Sequence, residues 1–143
     1  MNPAAPASKL FARHLPTIAR VLLGLVFFVF GLNGFFFFIP APPPEQLPAG
    51  LVAFSTAMMN TGYLFQLVKG TEVLVGALLL LNRFVPLALT LLAPVIVNIV
   101  AVHALLAPSG LPMAVVILGL ELYLAWSYRS AFRPMLAARV TPG

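Results

Sequence analysis

The chain has 143 residues, of which 62% are hydrophobic and only 8% charged, and its formal net charge is +5. So few polar groups cannot coat a soluble globule of this size. The basic residues lie almost entirely outside four long apolar runs, which argues against a nucleic-acid-binding patch, and the absence of cysteine removes disulfides, thiol redox chemistry, iron–sulfur ligation and thioether-bound haem.

The runs cover roughly residues 16–39, 64–81, 84–107 and 111–128. Each supplies about the 17–25 residues that a helix needs to cross a ~30 Å hydrocarbon core. No segment is left to build a second core, so residues 1–143 read as one transmembrane domain. The expected fold is all-α: an integral membrane antiparallel four-helix bundle, with a short interfacial or re-entrant segment between the first and second spans.

Met1–Ser8 is rich in Ala and Pro, a composition expected to be disordered. Lys9 and Arg13 then precede the first run, as in a signal peptide. Its uncharged stretch from Val21 to Ile39 exceeds a signal core of about 7–15 residues, so it reads as a retained signal-anchor helix. Arg20, Gly24, Phe27, Gly31 and Gly34 follow one another at steps of four and three. They form one stripe, and its glycines would let a neighbouring helix approach closely.

Pro40–Pro48 holds five prolines and reads as an extended strap. Leu51, Phe54 and Met58 then recur at helical spacing opposite Ser55, Thr56 and Asn60, the pattern of a short helix in the membrane interface. Asn60–Gly62 breaks it before the second run. Asn82-Arg83 makes a tight polar turn, so the second and third runs are expected as antiparallel neighbours. Pro86 sits in the first turn of the third run, whereas Pro94 lies inside it and removes a hydrogen bond to the Thr90 carbonyl, which predicts a bend. Ser109, Gly110 and Pro112 turn the chain into the fourth run, which ends in the interfacial aromatics Tyr123, Trp126 and Tyr128.

Seven basic residues (Lys9, Arg13, Arg20, Arg83, Arg129, Arg133 and Arg139) fall at one end of the spans, and none in the connections at the other. By the positive-inside rule this places both termini and the Arg83 turn of a multi-pass membrane protein in the cytoplasm.

Five ionisable groups lie within the runs: Arg20, Lys69, Glu72, His103 and Glu121. A charge at the bilayer centre costs about 2.5–3.5 kcal/mol on insertion scales, so each is a candidate for a binding site or polar network. At 1.5 Å per residue, Lys69 and His103 lie about 6–8 Å below the outer edge, and Glu72 and Glu121 about 12–15 Å below it. Arg20 lies about 5 Å above the inner edge on the same rise. Lys69 and Glu72 are three apart and share a face. The four central groups are expected to meet in an outward-opening cavity, with Arg20 closing it from below. Against this stand plainer readings. Lys69 and Arg20 could snorkel, Lys69–Glu72 could simply neutralise itself, and His103 could be a hydrogen-bonded packing residue. Asn33 and Asn98 are expected as interhelical hydrogen-bond partners. The chain has no second intramembrane His for a haem, no phosphate loop, and no metal set of three nitrogen or sulfur ligands.

Arg20-Val-Leu-Leu-Gly-Leu-Val-Phe, Gly31, the Gly70-Thr-Glu72-Val-Leu-Val-Gly76 segment, the Arg83 turn, Pro86–Leu89 and His103 together resemble the DoxX family. The resemblance covers about residues 16–128, and the Gly–Glu–Gly spacing is its most specific part. The chain departs from the family at Asn33-Gly34, where Gln-Lys is frequent. The resemblance implies a small four-helix membrane protein associated with redox complexes, such as a subunit linked to thiosulfate:quinone oxidoreductase. It also implies soluble redox or sulfur-transfer partners at the cytoplasmic face.

The functional expectation is a redox-associated subunit that binds a quinone-like or other amphiphilic molecule in an intramembrane polar cavity. The cofactor is open beyond a quinone. The partners expected are the lipid bilayer and a soluble protein, with homo-oligomerisation left open and no nucleic acid. Two alternatives stand beside it: a small transporter or exporter using the same charges, and a membrane anchor that holds a soluble enzyme through Arg129–Arg139.

Overall fold

The computed structural model describes residues 7–143, which form helices, short turns and no strand. Helix α1 (Ala7–Phe36) has 30 residues, so it extends about 45 Å at 1.5 Å per residue, well beyond a hydrocarbon core. It therefore starts earlier than the first apolar run, and it passes through Pro16. Of the tail expected to be disordered, Met1–Pro6 lies outside the described residues, while Ala7 and Ser8 open α1.

The far end of α1 is closed by its own side chains. Phe37 adopts a left-handed conformation (φ 51°), and its N–H donates to the Asn33 carbonyl at 2.9 Å. The Asn33 side chain accepts the Ile39 N–H at 2.6 Å. Asn33 thus caps a helix end instead of bridging helices, and Asn98 is exposed on the outer surface. Neither residue serves as the interhelical partner that its polarity suggested.

Helix α2 (Ala49–Asn60) contains no buried residue. It meets α3 (Leu64–Leu80) at 94° across a break that holds Gly62 at φ 76°. Thr61 stabilises the restart, its hydroxyl accepting the Leu64 N–H at 3.0 Å. Helix α3 ends with Asn82 left-handed (φ 54°), the Arg83 N–H on the Leu78 carbonyl at 2.9 Å and the Asn82 N–H on the Leu79 carbonyl at 3.2 Å. This is a Schellman closure, in which a left-handed Asn does what glycine usually does.

Helix α4 (Val85–Leu105) continues unbroken through Pro94. A short turn at Pro108–Gly110 leads to α5 (Leu111–Ser127), and α6 (Arg129–Phe132) follows. Three segments are long and apolar enough to cross a membrane: Phe11–Phe36, Val85–Leu105 and Pro108–Ser127. With only 17 residues, α3 joins them only when counted with α2.

Helix α1 makes its most extensive contact with α3; α3 also packs on α4, α4 on α5, and α5 back on α1. The glycine stripe explains the first of these. A Cβ on Gly24 would lie 3.1 Å from Leu79 Cβ, and one on Gly31 would lie 2.8 Å from the Val73 nitrogen. From the other side, Gly76 faces the Phe28 backbone. The residue order of these contacts makes α1 and α3 antiparallel. Leu23, Phe27, Leu79, Leu92, Ile96 and Leu124 fill the centre. Outside, Leu74, Val97, Val116 and Leu122 are each more than half exposed, an apolar surface that suits lipid and not water.

Candidate functional site

The Lys69–Glu72 pair lies on the face of α3 that meets α1. Lys69 Nζ stands 2.8 Å from Glu72 Oε2, with Glu72 buried and Lys69 partly exposed. Gly31 and Gly34 of α1 make room for the pair. A Cβ on Gly31 would approach Glu72 Cβ at 3.0 Å, and one on Gly34 would overlap Lys69 Cγ and Cδ. The missing side chains of one helix thus become the space for the charged side chains of the next.

His103 comes from the last turn of α4. Its Nδ1 lies 2.8 Å from the Ile99 carbonyl, which can only accept, so Nδ1 carries the hydrogen. In the neutral ring Nε2 is then an unprotonated acceptor. Gly110, at the start of α5, packs directly against the Cδ2–Nε2 edge of the imidazole.

Lys69, Glu72 and His103 line one cavity of about 290 Å³. Val26, Phe27 and Phe30 of α1, Ile99 of α4, Gly110 of the turn, and Met113, Ala114 and Ile117 of α5 complete its walls. The volume is near the lower end of small-molecule pockets, roughly 300 Å³, and fits a ring-sized head group. Phe30 is 47% exposed and Met113 62% exposed. The α1 and α5 sides of the cavity are thus bordered by residues that also reach the apolar exterior.

The other two candidates lie apart from the cavity. Glu121 is buried one helical turn beyond Ile117 on the same face of α5, and its Oε2 has no hydrogen-bond partner among the described residues. Arg20 donates to the Leu79 carbonyl, and its contact with the Leu80 carbonyl is 3.5 Å. It stabilises the last carbonyls of α3, where the helix dipole favours a cation. Of the four groups expected to meet, Lys69, Glu72 and His103 line the cavity and Glu121 does not, and Arg20, expected to close it from below, is absent from its walls. Hydropathy had set the depths of Arg20 and Glu121 but not their rotation, and the Leu23, Leu79 and Leu124 layer fills the centre at their level.

Phe30, Ile99, Met113 and Ile117 carried no signal in the sequence that set them apart from lipid-facing residues, whereas Phe27 lies on the glycine stripe. Gly110 read only as part of a turn. Among the described residues no three His, Cys, Asp or Glu side chains come together as a metal site. The cavity offers donors and acceptors to an organic ligand: ammonium hydrogens on Lys69, carboxylate oxygens on Glu72 and the Nε2 lone pair of His103.

Comparisons with protein-family models, curated proteins and solved structures found no match to the chain.

Proposed function

We propose that this chain is a DoxX-like subunit of the bacterial plasma membrane, an antiparallel four-helix bundle with both termini cytoplasmic. It binds the ring of a quinone-like amphiphile in the cavity formed by Lys69, Glu72 and His103. The observation that carries the reading is the meeting of the Lys69, Glu72 and His103 side chains in one apolar-walled cavity whose lining residues Phe30 and Met113 also reach the exterior.

Lys69 uses one ammonium hydrogen on Glu72 and keeps two for a ligand carbonyl, which a charge-assisted bond holds more strongly than a neutral one. His103 Nε2 accepts from a ligand hydroxyl, and Glu72 offers a second acceptor. The same three residues therefore suit the oxidised ring, which needs donors, and the reduced ring, which needs acceptors. They can also exchange its protons. The electrons come from or go to a soluble redox partner at the cytoplasmic face. The lateral mouth at Phe30 and Met113 fits a ligand that arrives from the bilayer with an apolar tail.

The test is equilibrium binding of a short-chain quinone and its hydroquinone to the purified protein in detergent. Glu72→Gln and His103→Phe should each weaken the hydroquinone by about tenfold, the equivalent of one hydrogen bond. Wild-type affinity in both variants would overturn the proposal.

A transporter is the second reading, favoured by the thin packing of α2, whose Gly50 rests on Leu106 close to His103. Solute flux into liposomes that hold the pure protein alone would favour it.

A further inference from the structure

At the opposite end of the molecule from the cavity, α5 stops at Ser127 and the chain turns through Tyr128 into α6. Ser127, Arg129, Ser130 and Arg133 line a second pocket there, of about 270 Å³. Its walls are mostly polar, whereas the first cavity's are mostly apolar. Two guanidinium groups and the Ser130 hydroxyl can donate hydrogen bonds to a ligand, and the only lining acceptors are the hydroxyl oxygens and the backbone carbonyls.

Arg129 is held in place before any ligand binds. Its guanidinium stacks 4.6 Å from the centre of the Trp126 ring, and Nη1 donates to the Trp126 carbonyl at 3.0 Å. Stacking fixes the plane of the fork and leaves its remaining donors for a planar or tetrahedral oxyanion. Ser127 already donates to the Tyr123 carbonyl at 2.8 Å, so its part is to shape the wall. The Ser130 hydroxyl can donate.

Among the described residues no acidic side chain pairs with these arginines. The chain has three acidic residues in all: Glu45 lies on the Pro-rich strap at the other end, Glu72 pairs with Lys69, and Glu121 is buried. Arg13, Arg83 and Arg139 add to the same positive end. No acidic side chain of the chain supplies its counter-charge. Trp126 is 62% exposed beside the pocket, at the end of an apolar span, where tryptophan marks the headgroup level of a bilayer.

We propose that Arg129, Ser130 and Arg133 form a binding site for a single phosphate group, carried by an anionic membrane lipid or by a soluble phosphate compound. Bidentate contact from either guanidinium distinguishes it from diffuse attraction to a negative surface. The inference does not depend on what the cavity binds.

The full-length protein is equilibrated in mixed micelles of phosphatidylglycerol and phosphatidylcholine, and the retained lipid is measured by mass spectrometry, with and without inorganic phosphate. Phosphatidylglycerol should be enriched over phosphatidylcholine, and the enrichment should fall roughly fivefold for each of Arg129→Gln and Arg133→Gln. Enrichment that survives inorganic phosphate assigns the site to the lipid headgroup. Saturable binding of inorganic phosphate in phosphatidylcholine alone, lost in the double variant, assigns it to a soluble phosphate. No preference for either probe, or an equal loss from Arg139→Gln outside the pocket, overturns the proposal.

Discussion

Gly34→Ala and Gly76→Ala place the same methyl group in the same α1–α3 seam, yet they should damage different properties. On Gly76 the added Cβ would lie 2.7 Å from Phe28 Cα and 2.8 Å from Phe28 Cβ. Real Cβ atoms essentially never approach within 3.0 Å, and backbone cannot swing aside, so the helices must part. Overpacking of this kind costs about 1–3 kcal/mol, and loss of the neighbouring close contacts puts this variant at the upper end. On Gly34 the methyl meets the Lys69 stem, with Lys69 Cβ at 3.1 Å and Cγ and Cδ closer. A stem can rotate. Moving it off its rotamer costs about 0.5–1.5 kcal/mol, and loosening the i,i+3 pair adds about 0.2–0.5 kcal/mol, more where the pair is part-buried. Gly34→Ala should therefore stay folded with a loss of about 1–2 kcal/mol but bind the quinone probe about tenfold more weakly, because Lys69 leaves the cavity. Gly70→Ala and Gly119→Ala, which meet nothing within 4 Å, are the controls and should not lose stability. The measurements are equilibrium unfolding in mixed micelles and probe binding on the same preparations. Wild-type affinity in Gly34→Ala, or Gly76→Ala as stable as the controls, would refute the reasoning.

Arg20→Ala should lower stability by about 1.5–3 kcal/mol, the range for a hydrogen bond to a charged group, and leave probe affinity unchanged. Reduced affinity at full stability would instead return Arg20 to the binding site. Glu121→Met, close to it in volume, should raise stability by about 1–3 kcal/mol by removing a buried oxygen without a partner. A less stable protein would mean that the carboxyl is satisfied. In Gly110→Ala the new methyl would collide with the Cδ2–Nε2 edge of His103. Hydroquinone binding should then weaken about as much as in His103→Phe, roughly tenfold, with the Glu72 contact retained. An unchanged hydroquinone titration would show that Nε2 takes no part.

The level of each polar group along its helix was legible from hydropathy and the rise per residue, and the stripe of Gly24, Gly31 and Gly34 marked the face of α1 that a neighbour covers. That neighbour is α3, and the close approach at Gly31 carries Glu72 inward. Rotation about the axis was legible only where such a stripe existed. Helix α5 carries only Gly119, which meets nothing. Its Glu121 thus read as a cavity residue at the right level, although α5 turns Ala114 and Ile117 to the cavity and leaves Glu121 a turn beyond. The start of α1 was missed because apolarity reports where hydrocarbon begins, whereas a helix continues as long as its backbone bonds close. Asn33 was misread for a local reason. Three residues before the end of α1, an amide oxygen can reach the N–H groups just past that end, and capping competes with any interhelical bond.

The lateral mouth separates a bilayer-borne ligand from a water-borne one. Phe30 and Met113 line the cavity and also face outward, so a tail attached to a bound ring would leave between α1 and α5 and lie along apolar surface. A solute passing along the bundle axis would instead have to cross the Leu23, Leu79, Leu92 and Leu124 layer, which is fully buried. Met113→Trp narrows the mouth and leaves the Lys69, Glu72 and His103 side chains in place as the groups that bind the ring. It should weaken a quinone with an isoprenoid tail several-fold relative to the tail-less ring, since each buried methylene contributes about 0.8 kcal/mol when the tail can pack. Titration of both ligands into wild type and variant in the same micelles measures that ratio. Equal weakening of ring and tailed ligand, or none of either, would mean that the ligand does not leave by this mouth, and the case for an amphiphile over a soluble cargo would lose its geometric support.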